Sequence, residues 1–226
     1  MPPTSSPSPP PPAPASCRTA WFSVTNALLV AMFVIFVWQI RHDLGWQNAF
    51  DRRYALSLTG IRQGMWWQFL TYQFLHGGWF HLVGNLLFLN SFGPDMEDTL
   101  GRRRFLLLFL GSGVFGGAVH LLGAQMAPEY FGAPVVGASA GLCGLLSAMC
   151  AIYSEEPMDL RLFMIIPFEI RPKYLLLFFA LFTIGGAVLA RGKVAHLAHL
   201  GGLVGGLLLL NLMSVKALPP PGPEPK

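Results

Sequence analysis

Gly137-Ala138-Ser139-Ala140-Gly141 heads an uncharged apolar run that ends at Tyr153. A serine between small residues at the start of a hydrophobic helix is ordinary by itself. Two other apolar segments give it weight. One carries His81 and, four residues on, Asn85; the other carries His199 followed by Gly202 and Gly206. Hydroxyl, imidazole and amide groups are costly inside segments of membrane length, and there they mark a functional site by default. From Ser139 to Tyr153 is about 15 residues, fewer than the roughly 20 a spanning helix needs. Ser139 is therefore expected at a helix N-terminus sunk in the membrane. The irregular backbone before it must be buried in protein or line a cavity.

The whole chain supports a membrane setting. Its 226 residues are 53% hydrophobic and only 12% charged, with a mean hydropathy of +0.51, whereas soluble domains carry about 25% charged residues. The net charge of +4 is dispersed. Arg102-Arg103-Arg104 is the one dense basic run and flanks an apolar segment, so no nucleic-acid partner is implied. The three cysteines, Cys17, Cys143 and Cys150, form no C-x-x-C or Cys/His pair. No metal site and no cofactor is expected.

Taken in order, residues 1–18 are rich in Pro, Ser and Ala and predict a disordered cytoplasmic tail. Thr19 to Ile40 predicts the first spanning helix. Arg41 to about Gly78 is too polar to span; its Trp46, Tyr54, Trp66, Trp67 and Tyr72 predict a partly helical interfacial segment with rings at headgroup level. Further helices are predicted over about Trp79–Met96, with Gly93-Pro94 fraying the end, and over Phe105–Ala124, Ser139–Tyr153, Lys173–Ala190 and Val194–Met213. Residues 125–136 and 154–172 are connectors, and 214–226 form a second Pro-rich tail. The expected architecture is an all-α, six-transmembrane-helix domain over 19–213 with a long interfacial first loop.

Helix rise places the polar groups. Counting back from the inner flanks gives roughly 22 Å from Ser154 to Ser139, roughly 21 Å from Asp95 to His81 and roughly 25 Å from Lys216 to His199. In a core about 30 Å thick, all three lie at one depth, roughly 5–10 Å below the outer surface. Asn85 is one turn deeper than His81 on the same helix face. Gly137, Gly141 and Gly144 would let another helix approach Ser139 closely. Gly202 and Gly206 share the face of His199 at i+3 and i+7. His196, nearly one turn nearer the surface, is expected at the interface or the cavity mouth, while His76 and His120 read as structural. A serine hydroxyl beside an imidazole is the nucleophile-plus-base pair of acyl transfer.

In their order these residues resemble the rhomboid intramembrane serine proteases, in the six-helix bacterial form. The similarity covers about Thr19 to Met213 and runs through the long first loop, His81-Leu82-Val83-Gly84-Asn85, Gly137-Ala138-Ser139 and Ala198-His199 with Gly202. It implies a Ser139–His199 dyad, with His81 and Asn85 helping the Ser139 N–H bind the oxyanion. It also implies that His199 is the base rather than His196, because only His199 has the family's following glycine spacing. Glu97 resembles the family's acidic residue at the inner end of helix two. Two positions depart: Gln68 follows Trp67 where many members have Arg, and Cys143 stands where an aromatic ring often packs on the base.

The resemblance implies transmembrane protein substrates in a lipid bilayer, cut near the outer end of the span, with helix five as a lateral gate. It implies a bacterial inner-membrane protein whose site opens outward. Lys and Arg in the flanks favour both termini inside. Two rival readings use the same residues: a rhomboid-like protein that binds transmembrane helices without cutting them, and a small transporter with a His/Asn relay. The sequence does not set the oligomeric state.

Overall fold

The computed structural model describes residues 23–41, 49–153, 158–162, 166–189 and 195–215. The predicted tails, the start of helix one before Ser23, Trp46 and Cys17 lie outside the described residues. Helix α1 spans Val24–Arg41. Short helices α2 (Ala49–Tyr54), α3 (Leu58–Arg62) and α4 (Gln68–Thr71), with a 3-10 turn at Tyr72–Phe74, fill the segment before α5 (Trp79–Leu100). Then come α6 (Arg102–Met126), α7 (Pro128–Phe131), α8 (Ser139–Ile152), strands β1 (Met158–Leu162) and β2 (Ile166–Ile170), α9 (Pro172–Leu189) and α10 (His196–Leu212). Among the described helices, α1 and α6 are long and apolar enough to cross a membrane, while Ser139–Ile152, Pro172–Val188 and His196–Leu212 are shorter apolar helices.

Helix α8 is the axis of the fold. Every residue from Ala140 to Cys150 is buried, as expected of a helix that is apolar on all sides. It packs on α5, α6, α9 and α10. The core runs from Met32 and Phe36 of α1 through Leu89 and Met96 of α5 and Phe105 and Phe109 of α6 to Leu145 and Leu146 of α8. The outward side chains are apolar too: Val30, Val34, Leu107, Leu122 and Phe178 are all well exposed. Lipid is the solvent that suits such a surface.

α1 is held at its start by α5. Both Glu97 carboxylate oxygens accept hydrogen bonds there, from the Val24 N–H, the Thr25 N–H and the Thr25 hydroxyl, each at 2.8 Å. These N–H groups have no partner within their own helix, and negative charge at a helix N-terminus is stabilising. Arg102 approaches the same carboxylate at 3.7 Å. Replacing Glu97 with Ala leaves buried donors unpaired. It is expected to lower stability by about 3 kcal/mol, measured as a shift in unfolding midpoint in detergent micelles.

The structure corrects several expectations. α5 does not fray at Gly93-Pro94 but runs through Pro94 to Leu100, where Gly101 caps it at φ 75°. Thr25 fits against Gly93, where a Cβ would lie 2.6 Å from its methyl, so packing on α1 outweighs the local cost of proline. Tyr72 is not a headgroup ring; it is 1% exposed, whereas Trp66 and Trp67 are exposed as expected. The connector after α8 contains an antiparallel hairpin, with Met158 opposite Ile170 and Leu162 opposite Ile166.

Gln68 anchors the segment between α1 and α5. Wholly buried, it donates to the Arg52 carbonyl at 3.0 Å and accepts from the Ser57 N–H at 3.1 Å. A neutral amide here ties the loop to itself.

Candidate active site

Three helices begin at one place. Ser139 is the first residue of α8, His81 the third of α5 and His199 the fourth of α10. The first-turn N–H groups of each helix lack intrahelical partners, and each helix has the positive end of its dipole at this start. The ends therefore converge on a region that favours developing negative charge.

The chain reaches Ser139 through an irregular stretch whose backbone is paired with protein. Val135 exchanges two hydrogen bonds with Leu56, at 2.9 and 3.0 Å, and the Gly137 N–H donates to the Tyr72 carbonyl at 2.8 Å. Tyr72 also spans to α6, its hydroxyl donating to the Gly113 carbonyl at 2.6 Å. His120 holds the same stretch from α6, with Nε2 3.4 Å from the Ala133 carbonyl. Gly137 has φ +125°, a conformation that side chains disfavour. A Cβ there would also lie 2.7 Å from His81 Nε2. Only glycine satisfies both demands.

Ser139 Oγ and His199 Nε2 are 2.7 Å apart. Glycines set this distance. A Cβ on Gly202 would sit 2.1 Å from the Ala140 carbonyl oxygen, and one on Gly206 would sit 2.3 Å from the Gly144 carbonyl oxygen. Backbones of α8 and α10 thus touch directly, as small-residue faces allow. Gly141 makes the equivalent approach to α6, 2.7 Å from the Phe109 carbonyl oxygen. Gly116, to which the sequence reading assigned no role, completes the set: its Cβ would meet the Ala198 carbonyl oxygen at 2.4 Å. Its signal was there, since Gly116-Gly117 follows Gly113 on an apolar helix.

His81 lies with its Cε1–Nε2 edge on Gly137. Its Nδ1 accepts from the Gly77 N–H at 3.3 Å, so the ring proton belongs on Nε2. Asn85 is buried one turn on; its Nδ2 donates to the His81 carbonyl at 2.7 Å, and its Oδ1 is buried without a partner among the described residues.

The other histidines separate. His196 is not at a cavity mouth: it is 4% exposed and fills the space over Gly186 of α9, where a Cβ would meet its ring at 2.1 Å. Its ring centroid is 5.6 Å from Phe182 and 6.2 Å from His199. The ring beside His199 therefore comes from its own helix, while Cys143 is buried in the core. His76 is buried and 5.3 Å from the His81 ring, edge to face. No group of three or more His, Cys, Asp or Glu among the described residues could hold a metal ion.

A helical bundle with serine, histidine and positive helix ends meeting inside an apolar body defines a class, the membrane-embedded serine hydrolases. The family model of the rhomboid domain matches residues 63–216. A Bacillus subtilis (strain 168) protein named "Putative rhomboid protease YdcA" is 33% identical over 150 residues, covering 66% of this chain and 68% of that one. The rhomboid protease GluP of the same organism is 32% identical over 147 residues, 65% of this chain and 26% of that one. Human rhomboid-related protein 3 is 31% identical over 143 residues, 60% of this chain and 32% of that one. This chain belongs to the rhomboid family. It is an integral membrane protein of the peptidase class. The alignments span about two thirds of the first relative, a quarter of the second and a third of the third.

Proposed function

We propose that this chain is an intramembrane serine endopeptidase that cuts transmembrane segments of other membrane proteins through an acyl-enzyme. The observation that carries it is the 2.7 Å contact between Ser139 Oγ and His199 Nε2, a distance at which the imidazole can take the hydroxyl proton as the oxygen attacks. In this mechanism Oγ adds to a peptide carbonyl and His199 Nε2 receives its proton. The tetrahedral oxyanion lies between the Ser139 N–H, His81 Nε2–H and the Asn85 amide, at the converging helix ends. His199 then protonates the leaving amine, and a water molecule hydrolyses the ester by the reverse sequence. Helices α8 and α10 contain no acidic residue, which favours a dyad over a triad.

In the bilayer, residues 19–213 form one six-span domain whose site faces the outer side of a bacterial inner membrane, with both termini cytoplasmic. α9 is the gate through which a substrate helix enters. Its face of Leu177, Phe178, Leu181 and Phe182 is exposed.

The deciding experiment combines a serine-directed fluorophosphonate probe with a tagged single-span reporter in liposomes. Stoichiometric labelling at Ser139 together with reporter cleavage supports the protease. Reporter capture without labelling or cleavage would replace it with the helix-binding role. Solute flux that survives Ser139→Ala would replace it with a transporter.

A further inference from the structure

A glutamine on α1 reaches into the support of the site. Gln39 makes a two-point contact with the backbone of His76: its Nε2 donates to the His76 carbonyl at 3.0 Å, and its Oε1 accepts from the His76 N–H at 3.1 Å. Among the described residues neither ring nitrogen of His76 has a hydrogen-bond partner, although the residue is 1% exposed. His76 is therefore held by its main chain, with its ring packed between Phe36 at 6.5 Å and His81 at 5.3 Å. The next N–H along, that of Gly77, is the donor to His81 Nδ1. Gly78 follows at φ +153° and opens α5, so the strand of backbone leading into His81 has no regular structure of its own to fix it.

We propose that Gln39 is a positioning residue: by clamping His76 it holds the Gly77 N–H on His81 Nδ1 and keeps the proton on His81 Nε2, the nitrogen beside Gly137. Neutral imidazole has one donor and one acceptor nitrogen, and the hydrogen bond at one decides the other. With Nδ1 occupied as an acceptor, Nε2–H is a ready donor toward the Ser139 side. Release of the Gly77 N–H lets the proton move to Nδ1, and the donor facing the serine is lost. The consequence for catalysis rests on the reading of His81 as an oxyanion donor; the tautomer itself does not.

The test uses the full chain in micelles with ¹⁵N-labelled histidine, comparing wild type with Gln39→Met, which keeps the length but neither hydrogen bond. The His81 signal is assigned by its loss in His81→Ala. Wild type is expected to show His81 as the Nε2–H tautomer, and Gln39→Met a mixture of the two. Cleavage of the single-span reporter should lose about tenfold in kcat, with KM within about twofold. In a His81→Ala background the same change should cost less than about twofold, because the group it positions is gone. Gln39→Glu, which retains the acceptor for the His76 N–H, should recover part of the loss and carries the test if Gln39→Met melts early. A His81 that stays wholly Nε2–H in Gln39→Met, or an equal loss of kcat in both backgrounds, overturns the proposal. If wild type cuts no reporter, the protease reading fails, and the tautomer spectrum still decides the clamp.

Discussion

Ser139→Ala and His199→Ala are each expected to lower reporter cleavage in liposomes by at least about 10⁴-fold, the scale seen when one member of a nucleophile–base unit is removed. Their effects should not add, since each variant already destroys the same proton transfer across the 2.7 Å contact. The double variant is expected to be no slower than either single one. His196→Ala is the control that separates the two histidines three residues apart. His196 fills a notch over Gly186 on α9 and touches His199 only ring to ring, at 6.2 Å. Its removal should cost no more than about tenfold. A His196→Ala enzyme as inactive as His199→Ala would assign the base wrongly. The measurement is initial cleavage rate at saturating reporter, with probe labelling of the His196→Ala enzyme as a check that Ser139 remains reachable there.

Gly202→Val is expected to cost on the order of 10²-fold or more in rate without touching a reacting group. Any Cβ at this position falls 2.1 Å from the Ala140 carbonyl oxygen and 3.0 Å from the Ala140 Cα. The obstacle is backbone, so no side-chain rotation relieves it, and α10 must move away from α8. A displacement of about 1 Å at the dyad costs on the order of 10²-fold in rate, and larger shifts cost more. Overpacking of this kind should also lower stability by about 1–3 kcal/mol. Gly84→Ala is the matched control: it too is a helical glycine, but nothing lies within 4 Å of its Cβ. It should be neutral or stabilising by up to about 1 kcal/mol. A Gly202→Val enzyme with wild-type cleavage would show that close contact of α8 and α10 does not set the dyad.

Gln68 and Cys143, the two positions at which the resemblance breaks, both have defined surroundings in the structure. Gln68 supplies with a neutral amide a set of backbone contacts to Arg52 and Ser57. Beside His199 stands the ring of His196 from one turn earlier on α10, itself backed by Phe182 of α9. The same stack joins His199 to α9, the helix proposed as the gate.

Much was legible in the residues alone because membrane helices obey a one-dimensional rule. Length, hydropathy and rise lead to the expectation that Ser139, His81 and His199 share one depth, since a spanning helix converts residue number into depth at about 1.5 Å per residue, and the structure has all three within the first turn or so of their helices. The glycines on the His199 face likewise announced a close helix contact, because only small residues let backbones meet. Other features depend on which helix stands beside which, and no single segment contains that information. Pro94 reads as a helix end until α1 packs on Gly93 and Glu97. Tyr72 reads as an interfacial ring until α6 offers it the Gly113 carbonyl. His196 reads as facing the surface until α9 covers it. Gln39 reads as one polar residue near the end of an apolar helix, and only the folded chain shows that its amide faces the backbone of His76. The sequence by itself determined that Ser139, His81 and His199 stand near the starts of their helices and which small-residue surfaces are able to touch. The tertiary structure alone decided their partners, because hydrogen bonds between segments are set by the lateral order and rotation of the helices, which residue spacing within each helix leaves open.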